Sequence, residues 1–263
     1  MRILFIGDVV GRAGRQCVAR WLSGLCAERA VDLTVANGEN AAGGIGATPE
    51  VLVELQSSGV QIITLGNHTW KKKELMTGLD ALDNVVRPAN FPAGVPGQGA
   101  LVYALPDGRQ VGFVNLVGRV FMDCVDCPFV VGKREVERLR EVTPLVLVDF
   151  HAEATAEKVA MGWYLDGLCT AVIGTHTHVQ TADERILPNG TAYISDVGMT
   201  GALDSVIGVE RDLAIHRFIT GMPTQFKAGR ARPGLCGVVV EADDATGRAR
   251  TIERIARVEE TRP

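Results

Sequence analysis

Short apolar runs, each ending in a polar residue, constrain this chain more than any other feature. Ile3 to Ile6 leads to Asp8, Leu33 to Ala36 leads to Glu39, and Gln61 to Leu65 leads to Gly66-Asn67-His68-Thr69-Trp70. Pro144 to Phe150 ends at His151, and Cys169 to Ile173 opens onto Gly174-Thr175-His176-Thr177-His178. Runs of this length read as buried strands. Between the first three lie helical patterns, at Arg15 to Glu28 through Val18, Trp21, Leu22 and Leu25, and at Pro49 to Gln56 behind a Thr48 cap. A β-α-β-α-β order favours parallel strands with helices packed on the sheet. In such sheets ligands bind at the carboxyl ends of strands, where these polar residues fall.

Composition bounds the function. Among 263 residues, 46% are hydrophobic and 22% charged, as in an ordinary soluble protein with a substantial core. The net charge of −4 argues against broad binding to duplex nucleic acid. It leaves room for a small phosphate-containing substrate, because bound cations would reverse the local field. Met1 to Asp8 reads as a first strand and not a secretory signal. No stretch approaches the roughly 20 apolar residues of a membrane span, so no membrane role is expected. The six cysteines, at 17, 26, 124, 127, 169 and 236, lack the regular spacing of a disulfide framework. The cytoplasm is the expected setting.

Further along, Ala100 to Leu105 and Gln110 to Asn115 flank Pro106-Asp107-Gly108-Arg109 and predict a β-hairpin. An irregular stretch, Arg119 to Pro128, precedes a charged helix expected over Lys133 to Glu141, and another helix is expected over Ala152 to Tyr164. Turn signals recur at Pro188-Asn189-Gly190 and at Asp243 to Gly247. With no linker or repeat, residues 1–263 read as a single domain with mixed sheets. The loop around Phe121, Met122 and Phe129 offers apolar side chains for a homo-oligomeric contact.

Three of the five histidines fall in the two His-bearing motifs, and His151 is a fourth at a strand end. Asp8, Glu39, Asn67, His151, His176 and His178 supply oxygen and imidazole donors suited to manganese, iron or zinc, without the thiolates of a structural zinc site. Taken singly, Asp8 also reads as a helix cap, and Asn40 as a stabiliser of the turn before Gly43 and Gly44. Gly7, Gly11 and Gly14 have the wrong spacing for a dinucleotide-binding loop. Cys124-Val125-Asp126-Cys127 is a C-x-x-C without a second pair, Lys71 to Lys73 a solvated helix start, and His216 a structural residue.

As an ordered set, Gly7-Asp8-Val9-Val10-Gly11, Asn37-Gly38-Glu39-Asn40, Gly66-Asn67-His68, His151, Gly174 to His178 and Ser195 to Gly201 resemble the calcineurin-like metallophosphoesterases. The resemblance is closest to their bacterial YmdB-like branch. It implies mixed β-sheets packed as a sandwich flanked by helices, and a dinuclear centre of two transition-metal ions, iron or manganese ahead of zinc. By resemblance Asp8, Asn40 and His178 serve one metal, Asn67, His151 and His176 the other, and Glu39 bridges; His68 is the proton donor. Val10 departs from the wider superfamily, which has a histidine there, and Glu39 stands where an aspartate is usual. The implied activity is phosphodiester hydrolysis by a metal-activated hydroxide, with a cyclic nucleotide such as 2′,3′-cAMP or 3′,5′-cAMP as substrate. A phosphomonoesterase and a slow-turnover nucleotide sensor are the alternative readings.

Overall fold

The computed structural model describes residues 1–259. Strand β1 (Arg2–Ile6) is followed by β2 (Asp8–Val9), α1 (Gly11–Arg29), β3 (Leu33–Asn37), α2 (Pro49–Ser57), β4 (Ile62–Thr64), α3 (Lys73–Gly78) and β5 (Val85–Val86). Strands β1, β3, β4 and β5 pair in parallel, as the alternation of strand and helix patterns requires. β1 buries Ile3 and Phe5 on one face and Leu4 and Ile6 on the other. A strand covered on both faces has no polar side, so its sequence is continuously apolar.

Helix α2 begins where the sequence expects it: Thr48 accepts from Val51 N–H at 3.4 Å and Pro49 occupies the first turn. Helix α1 begins at Gly11, ahead of the expected Arg15, with Val10 as N-cap and no side-chain cap. Its first N–H donates instead to the Asn40 carbonyl at 2.9 Å, a tertiary contact that no local pattern carries. Asp8 precedes Val10 and does not cap the helix.

The middle of the chain builds a second sheet from β6 (Ala100–Ala104), β7 (Gln110–Val117), β8 (Val146–His151), β9 (Ala171–Thr175), β10 (Arg185–Ile186) and β11 (Ala192–Ile194). The expected hairpin is β6 and β7, closing with Ala104 opposite Gln110. Helix α4 (Pro128–Arg140) starts at Pro128 and not at Lys133. Proline suits a first turn because the N–H it lacks has no partner there. Helix α5 (Thr155–Tyr164) joins β8 to β9. Finally β12 (Met199–Ala202), α6 (Arg211–Thr220), β13 (Pro233–Ala242) and β14 (Ala249–Val258) return to the first sheet. The Asp243 carboxylate accepts from the Ala245 and Thr246 N–H groups in the expected turn between β13 and β14.

The strand orders are β2-β12-β13-β1-β3-β4-β5, with β14 on β13, and β10-β11-β9-β8-β7-β6. Phe5, Val35 and Val238 of the first sheet meet Phe113, Leu147 and Ile173 of the second in one buried cluster. Burying a side chain of this size contributes about 1.5–3 kcal/mol. Leu22 of α1 and Leu52 of α2 pack on the first sheet, and Val136 of α4 and Met161 of α5 on the second. The result is the expected helix-flanked sandwich of mixed sheets. In the irregular loop Phe121 is 90% exposed, but Phe129 turns inward, 5.5 Å from the Tyr164 ring. No helix among the described residues is long and apolar enough to cross a membrane.

Candidate metal centre

The carboxyl ends of β1, β3 and β4 meet those of β8 and β9 where the sheets face each other, and the Asn37 amide of β3 donates to the Asp149 carboxylate of β8 at 3.1 Å. Asp8 is fully buried at the start of β2. Its Oδ2 accepts the His176 N–H at 3.2 Å. Its Oδ1 has no hydrogen-bond partner among the described residues, and His151 Nδ1 and His178 Nε2 each lie 3.8 Å away. Leaving a buried carboxylate oxygen unpaired is costly, so a cation suits this position.

Glu39 and Asn40 follow β3, and the Glu39 N–H donates to the Asn37 side chain. Glu39 Oε1 lies 3.2 Å from His151 Nε2 and 3.1 Å from His68 Nδ1, while Oε2 accepts the His68 N–H at 3.0 Å. Gly66 makes this approach possible: a methyl group there would stand 2.6 Å from His151 Nε2 and press on Glu39 Oε2. His151 is buried at the end of β8, with Nε2 3.0 Å from Asn67 Oδ1 and 2.9 Å from His176 Nδ1. Thus one imidazole nitrogen faces a carboxylate oxygen, an amide oxygen and a second imidazole nitrogen. It has one proton or one lone pair to offer and cannot satisfy all three; a metal ion among four donor atoms can. Glu39, His151 and His176 form a carboxylate–imidazole group compact enough to hold an ion, their ligand atoms all within 4.8 Å of one another.

Surrounding groups set which imidazole nitrogens carry protons. The Thr175 hydroxyl donates to Asp149 Oδ1 at 2.7 Å, so its oxygen accepts from His151 Nδ1 at 2.9 Å and leaves the Nε2 lone pair facing the cluster. Glu153 Oε2 lies 3.1 Å from His176 Nε2, which turns the Nδ1 lone pair inward in the same way. The Ile207 carbonyl takes the His178 Nδ1 proton at 2.8 Å and frees Nε2 toward Asp8. Such partners orient imidazole ligands in metal sites. His176 and His178 have φ values of 101° and 67°, the strained left-handed backbone found at functional loops.

Electrostatics agree with a cation. Burial opposes charge on His151, but Glu39, with Asp8 and Asp149 behind it, carries its pKa up to about 9. Burial also opposes charge on Glu39, yet His151 and His68 hold its carboxyl well below the usual range. These carboxylates attract as a proton the charge a metal ion would supply. Burial and the neighbouring His151 push His176 down to about 3, so it stays neutral and able to ligate.

Every sequence-predicted site residue comes to this one edge: Asp8, Glu39, Asn40, Asn67, His68, His151, His176 and His178. Asn40 stands apart in orientation. Its Oδ1 lies 2.8 Å from His68 Nδ1, while its amide nitrogen donates to Glu39 Oε1 at 2.8 Å and lies 3.4 Å from His178 Nε2. Only the oxygen can bind a metal, so ligation by Asn40 requires a half-turn of the amide. Sequence reasoning placed Asn37, Thr175 and Asp196 within motifs without giving them a role, and missed Glu153, Lys158 and Ile207. Asp149 was findable, as a lone acid inside the apolar run to Phe150.

Two mixed sheets packed face to face, with carboxylate, amide and imidazole groups gathered where their strands end, define the metallophosphoesterase class of hydrolases. The chain matches the model of the YmdB-like protein family over residues 4–255, and it belongs to that family. It is 49% identical over 255 residues to the 2′,3′-cyclic-nucleotide 2′-phosphodiesterase of Bacillus subtilis (strain 168), covering 97% of this chain and 96% of that one. The crystal structure of a novel phosphatase from Mycoplasma pneumoniae superposes with a TM-score of 0.90 at 36% identity, over 98% of this chain and 93% of that one. A hypothetical protein from Thermus thermophilus superposes equally well, with a TM-score of 0.90 at 42% identity, over 99% of this chain and all of that one. The chain is a phosphoesterase enzyme.

Proposed function

We propose that this enzyme is a dinuclear phosphodiesterase acting on nucleoside cyclic phosphates. The observation that carries the reading is the convergence of Glu39, Asn67 and His176 donor atoms within 2.9–3.2 Å of His151 Nε2, beside the unpaired Asp8 oxygen. The similarity to the Bacillus subtilis phosphodiesterase supports the substrate class. Asn67, His151 and His176 would hold one metal and Asp8, Asn40 and His178 the other, with Glu39, whose Oε1 lies 3.2 Å from His151 Nε2 and 2.8 Å from the Asn40 amide nitrogen, available to both. Two such ions, when bound, lower the pKa of water and neutralise charge on phosphoryl oxygens. Oxygen and imidazole donors suit iron or manganese, with zinc also accommodated.

The remaining chemistry belongs to the protein. Glu39 Oε1 holds the His68 ring through Nδ1 at 3.1 Å once the Asn40 amide has turned its oxygen toward the metal, and the His68 Nε2–H donates to the departing alkoxide. We read the described residues, 1–259, as one domain because strands from β1 to β14 share core clusters; the last four residues of the expected 1–263 lie outside the described residues. Six free cysteines fit a reducing, cytoplasmic compartment.

Elemental analysis beside a panel of phosphodiesters and phosphomonoesters tests the proposal. Two transition-metal ions per chain and higher catalytic efficiency on diesters are expected, and faster monoester hydrolysis would transfer the assignment to a phosphomonoesterase. Glu39→Ala should lose both metals or retain a weak single site; full double occupancy would remove Glu39 from the bridging position.

A further inference from the structure

A cavity of about 230 Å³ opens beside the centre, with Asn40, His68 and His178 at its inner end. Its walls are of a different kind: Val10, Ile45, Ile207 and Phe226 line it, with Lys227 beside Phe226. Ile45, Ile207 and Phe226 are each at least 44% exposed, so three large apolar side chains stand uncovered around one opening. The turn bearing Ile207 is tied to the segment bearing Phe226 by backbone hydrogen bonds, Glu210 N–H to the Lys227 carbonyl at 2.9 Å and Gly229 N–H to the Gly208 carbonyl at 2.8 Å. Ile207 sits at φ 46°, a costly conformation for a β-branched residue. Its carbonyl fixes His178 while its side chain walls the cavity, so one strained residue serves both metal centre and opening. The Arg217 guanidinium lies 5.1 Å from the Phe226 ring centroid and steadies that ring.

We propose that this cavity seats the nucleobase of the substrate, with Phe226 as its stacking platform and Ile45 and Ile207 as its specificity-determining walls. The inference rests on the phosphodiesterase reading and names the part of the substrate that reading leaves without a seat. A group in the cavity abuts His68 and His178, so it lies beside a phosphodiester held at the metals. The volume is below the roughly 300–1,000 Å³ of drug-sized ligand sites. It suits a single heteroaromatic base and excludes a long lipid or peptide. A flat ring covers Phe226 with one face, and Lys227 provides a donor for acceptor atoms on its edge.

The test compares the metal-loaded enzyme on a nucleoside 2′,3′-cyclic phosphate and on the methyl riboside 2,3-cyclic phosphate, which has the same ring and no base. Wild type should favour the nucleotide. Phe226→Ala should lower the ratio of the two kcat/KM values about 5- to 150-fold, the range for loss of one aromatic–base stack. Phe226→Trp should keep the ratio, and Ile45→Ala should lower it less. A wild-type ratio near one, or a Phe226→Ala loss equal on both substrates, overturns the base seat and leaves the phosphodiesterase reading standing. If the metal-loaded wild type cleaves neither compound, the reading of the activity fails, and titration with a nucleoside 3′-monophosphate and ribose 3-phosphate decides the cavity. Tighter nucleotide binding that Phe226→Ala abolishes supports the seat; equal binding of the two overturns it.

Discussion

At the scale of single residues, the centre depends on the proton positions of its imidazoles. Thr175, Glu153 and the Ile207 carbonyl face the outer nitrogens of His151, His176 and His178, so each inner nitrogen can serve as a ligand. His68 differs: its Nδ1 is held by Glu39 at 3.1 Å, which leaves Nε2 for the leaving group. Positioned general acids contribute about 10²–10⁴-fold. His68→Ala should keep both metals and lose about that much activity on an alkoxide-leaving substrate. A nitrophenolate departs without a proton, so the loss should be smaller there; steady-state rates on both substrates check this, and equal losses would refute the general-acid role. The cysteines carry the opposite expectation. Cys124 is exposed and Cys127 half-buried, and neither belongs to the ligand cluster. Replacing both by serine should leave metal content and turnover near normal, as elemental analysis and assay would show.

At the scale of elements, the loops that carry the ligands are anchored from behind. Lys158 of α5 and Asp196, both buried, pair at 2.7 Å. Asp196 also accepts from the Thr177 N–H at 2.9 Å and its hydroxyl at 2.7 Å, and from the Gly198 N–H at 2.8 Å. One carboxylate therefore ties α5 to the turn between His176 and His178. Removing one partner of a buried ion pair costs about 3–5 kcal/mol, because the other charge is left uncompensated. Lys158→Met should destabilise the protein by about that amount in denaturant titration and weaken metal retention. A variant of unchanged stability would mean that water or a rearranged neighbour compensates Asp196.

At the scale of the whole molecule, two sheets must press together for ligands from both to converge. Phe5 lies in the cluster between them. Phe5→Ala should cost about 3–5 kcal/mol of global stability, read as a lower denaturation midpoint with an unchanged slope. The central strands β1, β3, β4, β8 and β9 were legible in sequence because burial makes them continuous apolar runs, whereas the short β2, β5, β10, β11 and β12 carry no such run and were not. The ligands were legible because few residue types bind metals and they fall together at strand ends. Helix starts were less so: α1 begins on a hydrogen bond to the distant Asn40 carbonyl, and α4 extends back to a proline that reads locally as a loop. The residues that set imidazole protonation were invisible for a similar reason. A threonine hydroxyl or an isoleucine carbonyl has no distinctive pattern, and Ile207 reaches His178 across 29 positions of chain. Sequence alone determined the buried central strands and which of their ends carry metal-binding chemistry. Only tertiary packing decided which atom of each side chain faces the centre, and which apolar walls stand beside it, because both depend on contacts between segments far apart in the chain.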